Sequence, residues 1–131
     1  MVIFGKAMGN GYAITAVLGK KEIMEYAQRT FISSTFWTER IGPTAALKTL
    51  EVMQKIKSWE IITEIGLKVR KGWKEIAEMN DLKISISGIP ALSSYTFDDT
   101  HNLEFHTYVT QEMLKKGFLA ADRFYACTEH N

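Results

Sequence analysis

The spacing of apolar residues changes between the middle and the end of this chain, and that change sets the class of fold. Apolar residues recur at helical spacing from Pro43, a first-turn proline, to about residue 57. A second helical stripe follows Ser58, which we expect to cap its N-terminus, and ends at Asn80. Residues 83–87 instead alternate with period two, and residues 88–90 predict a turn. Helices beside a hairpin predict an α/β fold.

Shorter segments complete the predicted order of elements. We expect strands at residues 2–4, 13–18, 91–97, 118–120 and 124–127, a short helix at 20–28, and a third long helix from about residue 103 until Gly117 stops it. Two strands do not make a stable sheet alone. The strands at 2–18 therefore either join the C-terminal hairpin or belong to a sheet whose other strands are absent from the chain.

Composition and charge exclude several classes of partner. The 131 residues are 46% apolar and 24% charged, and 16 basic and 15 acidic side chains are scattered along the chain to a net charge of +1. A nucleic-acid or membrane surface would need clustered Lys and Arg, so we expect neither partner. No apolar run approaches the ~20 residues of a membrane span. Because Cys127 is the single cysteine, no disulfide forms within the chain, and we expect a cytoplasmic protein.

Lys6 is the first candidate for chemistry. It follows the apolar strand at 2–4 and precedes a glycine-rich loop, so its amine should emerge at a strand end, where α/β proteins tend to place their sites. A lysine held against apolar walls can form a Schiff base, although a solvated lysine is the commoner case. Gly9 and Gly11 match neither a dinucleotide fingerprint nor a P-loop. We expect them to form a tight turn beside the lysine.

The other polar candidates have simpler explanations. The hydroxyls of residues 33–35 could hold a phosphate, but a loop that caps the next helix is the commoner explanation. His101, His106 and His130 lack the spacing of a metal site, and we expect no metal. We expect Cys127 to be a buried and inert thiol.

Residues 4–13, which read Phe-Gly-Lys-Ala-Met-Gly-Asn-Gly-Tyr-Ala, carry a family resemblance. The segment resembles the cofactor-lysine region of class III aminotransferases, especially the glutamate-1-semialdehyde aminotransferase (aminomutase) branch. Lys6 matches the family lysine, and Gly9 and Gly11 match two of three consecutive glycines. Asn10 replaces the middle glycine, and Ala13 replaces a proline. Residues 16–24 are also similar to the family, with a Gly-basic-basic-Glu-Ile-Met stretch that opens a helix.

Two later segments extend the resemblance towards the end of the chain. Residues 33–46 resemble the family's Gly-Thr loop and the helix start that follows it, with Gly42 in place of an asparagine. By position, Thr35 inherits the role of the threonine that reaches the cofactor phosphate of the neighbouring subunit. Residues 115–120 and 127–130 resemble the end of the small domain, after which the final family helix would follow.

The resemblance implies the C-terminal portion of a fold-type I transferase that depends on pyridoxal 5'-phosphate. Residues 1–42 would be a remnant of the large cofactor-binding domain, and residues 43–131 would be the long helices and the small C-terminal domain without its final helix. Lys6 would carry the cofactor as a Schiff base and transfer an amino group of a small substrate. The chain would act in a homodimer or with the missing N-terminal large domain.

The alternative is a stand-alone interaction or folding module without activity of its own, from a truncated or split enzyme. In the family, the aspartate under the pyridine nitrogen and the main phosphate loop lie upstream of the residue that matches Met1. For these 131 residues alone, we therefore expect no ordered cofactor site.

Overall fold

A computed structural model describes residues 1–33, 35–36 and 38–130. The chain divides into two compact units, the first from Met1 to Ile56 and the second from Lys57 onward. The sequence places a division after residue 42, whereas the two compact units divide after Ile56. The helix between these two points packs on the turn at Lys6–Met8 and belongs to the first unit. The assignment of residues 1–42 to a larger domain stays a prediction.

The first unit contains a two-stranded sheet and a long helix. Strand β1 is Val2–Phe4 and pairs antiparallel with β2, Ala16–Leu18, with Ile3 opposite Val17. Helix α1 covers only Lys21–Met24 and continues as a 3₁₀ turn over Glu25–Arg29, so the helix predicted at 20–28 is only partly α-helical. Helix α2 is Ile41–Ile56, which places Pro43 in its first turn as predicted.

The first unit buries very little apolar surface. Among its described residues the buried ones are Gly9, Gly42 and Ala46. The side chains of β1 are all exposed, and Ile3 is 70% exposed. Strands β1 and β2 form a sheet of their own, so the first of the two alternatives, that they join the C-terminal hairpin, is wrong, and the second stays a prediction. Because two strands cannot shield one another's apolar side chains, both faces of this sheet remain uncovered.

The second unit packs two helices with a three-stranded sheet. Helix α3 is Ser58–Met79, strands β3 and β4 are Ile84–Ile89 and Leu92–Phe97, helix α4 is Asn102–Lys115, and strand β5 is Arg123–Tyr125. The sheet order is β3-β4-β5, and both pairs are antiparallel.

Three local predictions for the second unit are wrong. Gly88 and Ile89 belong to β3, and the turn lies at residues 90–91, because the ladder continues to the pair of Ile89 with Leu92. Residues 118–120 are not a strand, since β5 reaches β4 only from residue 123 onward. Ser58 does not cap α3. It is the first residue of that helix, and Lys57, with a left-handed φ of 51°, precedes it without a side-chain cap.

An arginine ties α3 to the hairpin of the second unit. Arg70 Nε donates to Ser93 Oγ at 2.7 Å, and Arg70 Nη2 donates to the carbonyls of Gly88 at 2.6 Å and Ser87 at 3.2 Å. Ser93 is fully buried, and its hydroxyl also donates to Pro90 O at 2.9 Å. The bonds to Ser93 give a buried hydroxyl the partners that it needs away from water.

Aromatic rings form the core between the sheet and the helices. The ring of Tyr95, which is buried, lies 4.9 Å from that of Trp73 and 5.0 Å from that of His106, measured between centroids. Phe97 is in edge contact with Tyr95 at 5.5 Å. Tilted and edge-on rings at these distances are favourable beyond the area they bury.

Candidate active site

Lys6 lies directly beyond β1, in a 3₁₀ turn over residues 6–8. Its φ is +47°, in the left-handed region, which costs a residue with a Cβ atom about 1–2 kcal/mol. Its carbonyl accepts the N–H groups of Gly9 and Asn10, each at 3.1 Å. The side chain is exposed, and within the described residues its Nζ has no hydrogen bond or ion pair. The amine is therefore free to react, although it is not packed against apolar walls.

The glycines form the tight turn that the sequence predicts. Gly9 is buried, and a Cβ atom added to it would lie 2.1 Å from the carbonyl oxygen of Tyr12 and 2.8 Å from Cγ2 of Ile14. Asn10 replaces the family's middle glycine at a φ of +46°, a conformation that asparagine tolerates better than most residues. Asparagine at position 10 is therefore compatible with the backbone of this turn.

Thr35 lies in a turn and is exposed. Ser34, its neighbour in the predicted hydroxyl-rich loop, lies outside the described residues, as does Trp37. In the described part of the chain, no hydrogen bond joins Thr35 to Lys6.

Glu39 caps α2, and the sequence reasoning missed it. Its carboxylate accepts the backbone N–H groups of Ile41 and, at 3.0 Å, Gly42. A carboxylate at a helix N-terminus is stabilising because it meets the free N–H groups there. An added Cβ on Gly42 would lie 2.8 Å from the carbonyl oxygen of Ala13, so this glycine allows the helix to begin close to the loop before β2. The acidic residue just ahead of Pro43 was the available signal.

The three histidines lie in different environments. His101 Nδ1 is 3.1 Å from Asp99 Oδ1, and the backbone N–H of His101, the larger cause, together with its ring lowers the pKa of the Asp99 carboxyl. His106 lies among aromatic rings, and its Nε2 is buried without a hydrogen-bond partner in the described residues. In those residues no three His, Cys, Asp or Glu side chains come together as metal ligands.

Cys127 is exposed, so the prediction of a buried thiol is wrong. It follows β5, where the chain leaves the sheet, and its Sγ lies 3.4 Å from Nδ1 of His130. The same nitrogen accepts the backbone N–H of Cys127 at 3.0 Å.

The second unit contains a cavity of about 760 Å³ that the sequence did not predict. Apolar side chains line most of it, including Trp73, Ile76, Val109 and Phe124, and Tyr95 contributes its ring. Burial, and secondly the negative charge of Asp122, raise the pKa of the Tyr95 phenol.

No helix in the described part of the chain has the length and apolar character to cross a membrane.

Comparisons with known proteins agree on one family. The Aminotransferase class-III model matches residues 1–123. A 3-aminobutyryl-CoA aminotransferase of Cloacimonas acidaminovorans is 36% identical over 95 residues, 72% of this chain and 23% of that protein. A glutamate-1-semialdehyde 2,1-aminomutase of Sulfurihydrogenibium azorense is 26% identical over 140 residues, 96% of this chain and 33% of that protein. The chain thus spans a quarter to a third of the length of these relatives.

A solved structure with the same fold is that of the PLP internal aldimine form of the FumI protein of Sphingopyxis sp. MTA144. It matches with a TM-score of 0.87 at 22% identity, over 98% of this chain and 32% of that one. The predicted fold class, the C-terminal portion of a fold-type I transferase, is therefore confirmed. Since the family model covers nearly the whole length, this chain belongs to the class III aminotransferase family.

Proposed function

We propose that this chain supplies the cofactor lysine and the C-terminal part of a pyridoxal-phosphate-dependent aminotransferase or aminomutase. The observation that carries the proposal is the free, exposed amine of Lys6 on a turn at the end of β1. Family membership and the matching glycines at positions 9 and 11 support it. The substrate would be a small molecule that carries an amino group, and the single thiol fits a cytoplasmic setting.

The residues present fit a covalently held aldehyde cofactor. Lys6 Nζ has no competing carboxylate among the described residues, so an ion pair does not have to break before the amine reacts. The hydrogen bonds from Gly9 and Asn10 to the Lys6 carbonyl fix the backbone from which the side chain extends. When bound, pyridoxal phosphate supplies the electron sink for carbanion chemistry.

The chain's own contribution to catalysis centres on Lys6 Nζ. It would hold the cofactor covalently between turnovers and be released when a substrate amine takes its place. The freed amine would then carry a proton to and from the reacting carbon, a task for which it must lie within about 3 Å of that proton. The hydrogen-bonded turn fixes the backbone from which the Lys6 side chain extends, which favours such positioning.

Thr35 would bind the cofactor phosphate across a dimer interface. Its side chain is exposed, and within the described residues its hydroxyl has no hydrogen bond that would have to be broken. A hydroxyl that donates to a phosphate makes a charge-assisted hydrogen bond, roughly twice as strong as a neutral one.

The exposed sheet of the first unit supports the assignment of residues 1–42 to a larger domain. Ile3 is 70% exposed and Leu18 is 55% exposed, although both lie in strands. Apolar strands of this kind are normally covered by further strands or helices. A larger domain, with a second subunit to complete a homodimer, would provide that cover.

The alternative function is a stand-alone interaction or folding module. The same exposed strands favour it, because an uncovered apolar sheet promotes association whether or not a cofactor is present. The resemblance places the family's main phosphate loop and ring-nitrogen aspartate upstream of the residue that matches Met1. In this case the 131 residues would associate with a partner and turn over no substrate.

Borohydride trapping of pyridoxal phosphate, followed by peptide mapping, separates the two functions. In a complete enzyme that contains this segment, we expect one trapped cofactor per subunit on Lys6 and loss of amino transfer in Lys6→Ala. Lys68→Ala is the matched control, because Lys68 is an exposed lysine of α3 without an ion pair among the described residues. Trapping at a different lysine would refute the assignment.

The isolated chain provides the second arm of this test. With pyridoxal phosphate and an amino donor, it should show weak labelling spread over many lysines and no turnover. Stoichiometric labelling at Lys6 with repeated turnover by the 131 residues would contradict that expectation, and would show that the chain holds the cofactor without help.

A further inference from the structure

We propose that Gly9 is a positioning residue for Lys6: by leaving room for the Tyr12 carbonyl, it holds the lysine backbone in its left-handed conformation. The importance of this for catalysis rests on the proposed function, since it matters only if Lys6 carries the cofactor. The conformational part of the proposal concerns this chain alone.

The backbone angle φ explains neither the glycine at position 9 nor the lysine at position 6. Gly9 has a φ of −86°, which any residue adopts, so no dihedral requires glycine there. Lys6 has a φ of +47°, where glycine or asparagine would be favoured. The chain thus has glycine where the dihedral does not need it and lysine where the dihedral opposes it. Strained residues of this kind persist where the surrounding structure determines them, and they cluster at functional sites.

Space, and not conformational freedom, explains the glycine. A Cβ atom at position 9 would lie 2.1 Å from the Tyr12 carbonyl oxygen and 2.8 Å from Cγ2 of Ile14. The first distance is far below any van der Waals contact, and the atom met is backbone, which cannot rotate away as a side chain would. Either the loop that contains Tyr12 or the turn that contains Lys6 would have to move.

Hydrogen bonds would transmit that movement to Lys6. The N–H of Gly9 donates to the Lys6 carbonyl at 3.1 Å, and the Gly9 carbonyl accepts the N–H of Tyr12 at 3.1 Å. Gly9 is therefore bonded on one side to the lysine and on the other to the residue that it would clash with. A displacement of Gly9 breaks one of these bonds, and loss of the first releases the Lys6 backbone to an unstrained φ.

Hydrogen exchange of the Gly9 and Asn10 amides in the full chain tests this coupling, because both amides bond to Lys6 O. Lys6→Asn should raise their protection by about tenfold, since asparagine tolerates the left-handed region that costs lysine about 1–2 kcal/mol. In a Gly9→Ala background, protection should fall and the gain from Lys6→Asn should disappear. Gly72→Ala, a glycine with no atom within 4 Å of an added Cβ, should leave the gain unchanged.

Equal gains from Lys6→Asn with and without Gly9→Ala would overturn the proposal, as would unprotected amides in the wild-type chain. If Gly9→Ala abolishes protection throughout residues 1–56, Asn10→Val replaces it, because Asn10 is exposed and a β-branched residue disfavours its φ of +46°. That variant should lower protection at both amides several-fold, and unchanged protection would refute the role of the turn.

A cofactor measurement separates this inference from the proposed function. In the complete enzyme, borohydride-trapped labelling of Lys6 should slow at least tenfold in Gly9→Ala and stay unchanged in Gly72→Ala. Unchanged labelling of Lys6 in Gly9→Ala refutes the positioning role. Labelling of another lysine in the wild type refutes the proposed function, and the exchange coupling is unaffected by that outcome.

Discussion

The same substitution at two positions of one helix should change the stability of the second unit in opposite directions. Gly66 and Gly72 both lie in α3. A Cβ atom at Gly66, which is buried, would lie 1.8 Å from the carbonyl oxygen of Pro90 and 2.4 Å from its carbonyl carbon. A Cβ atom at Gly72 would have no atom within 4 Å. Gly66→Ala therefore pushes the helix away from the hairpin turn, whereas Gly72→Ala only adds a good helix former.

The destabilisation by Gly66→Ala can be estimated from the contacts that are disturbed when α3 moves away from the hairpin turn. Overpacking of this kind costs about 1–3 kcal/mol. The helix also carries Arg70, whose bonds to Gly88 O and Ser87 O cannot lengthen by an ångström and survive, and each lost bond adds about 0.5–1.5 kcal/mol. We expect Gly66→Ala to destabilise the unit by about 3 kcal/mol. Gly72→Ala should stabilise it by up to about 1 kcal/mol.

Urea denaturation of the full chain, followed by circular dichroism and tryptophan fluorescence, measures both effects. The two variants should differ by about 4 kcal/mol, and their melting temperatures by roughly 16 °C or more, since about 1 kcal/mol shifts a domain of this size by about 4–8 °C. A Gly66→Ala variant within 1 kcal/mol of the wild type would refute the reasoning. It would mean that the close approach of α3 to Pro90 does not exist or relaxes without loss.

Three further predictions follow from single side chains. Arg70→Met should destabilise the second unit by about 2–4 kcal/mol, because three hydrogen bonds are lost. The control, Lys71→Met, removes an exposed ion pair worth less than about 1 kcal/mol, and denaturation curves compare the two variants. Because the pKa of Tyr95 is raised in the folded chain, its protonated phenol contributes to stability. This contribution is fully present below pH 10.0, the phenol's ordinary pKa, and is lost as pH rises through the higher folded pKa. Tyr95→Phe should therefore flatten the loss of stability between neutral and strongly alkaline pH, and an unchanged slope would contradict the assignment. Thr35→Ala should weaken cofactor binding in the complete enzyme by about 1–3 kcal/mol and leave the fold intact; equal affinity would show that Thr35 is only a loop residue.

Periodicity predicted the long elements well, because their stability comes from one apolar face. Helices α2, α3 and α4 begin and end within a few residues of the expected positions, and the hairpin of β3 and β4 is where alternation placed it. Errors occur where a long-range hydrogen bond decides the local structure. Residues 118–120 have the composition of a strand, but only residues 123–125 reach β4, so the ladder and not the propensity sets the strand.

The ends of helices show the same limit on a smaller scale. Ser58 has the composition of a cap, yet the left-handed Lys57 before it lets the helix begin one residue earlier than a serine cap would. Glu39 does cap a helix, although glutamate is an uncommon choice, because its longer side chain reaches forward to the N–H groups of residues 41 and 42. Composition at a helix end is therefore weaker evidence than the path of the chain.

For the candidate site, the sequence motif predicted which residue to consider, and only the structure gave its backbone conformation. The order of Lys6, Gly9 and Gly11 was sufficient to propose Lys6 as the cofactor lysine, since the motif lies within a short stretch of the chain. It did not reveal that Lys6 is left-handed and Gly9 is not, because that depends on how close the Tyr12 carbonyl approaches the turn. Under the proposed function, the amine of Lys6, rather than the stability of the turn, would account for a lysine at this strained backbone angle. If relief of that strain strengthens the turn in Lys6→Asn while it abolishes cofactor attachment, stability and activity make opposite demands on this one residue.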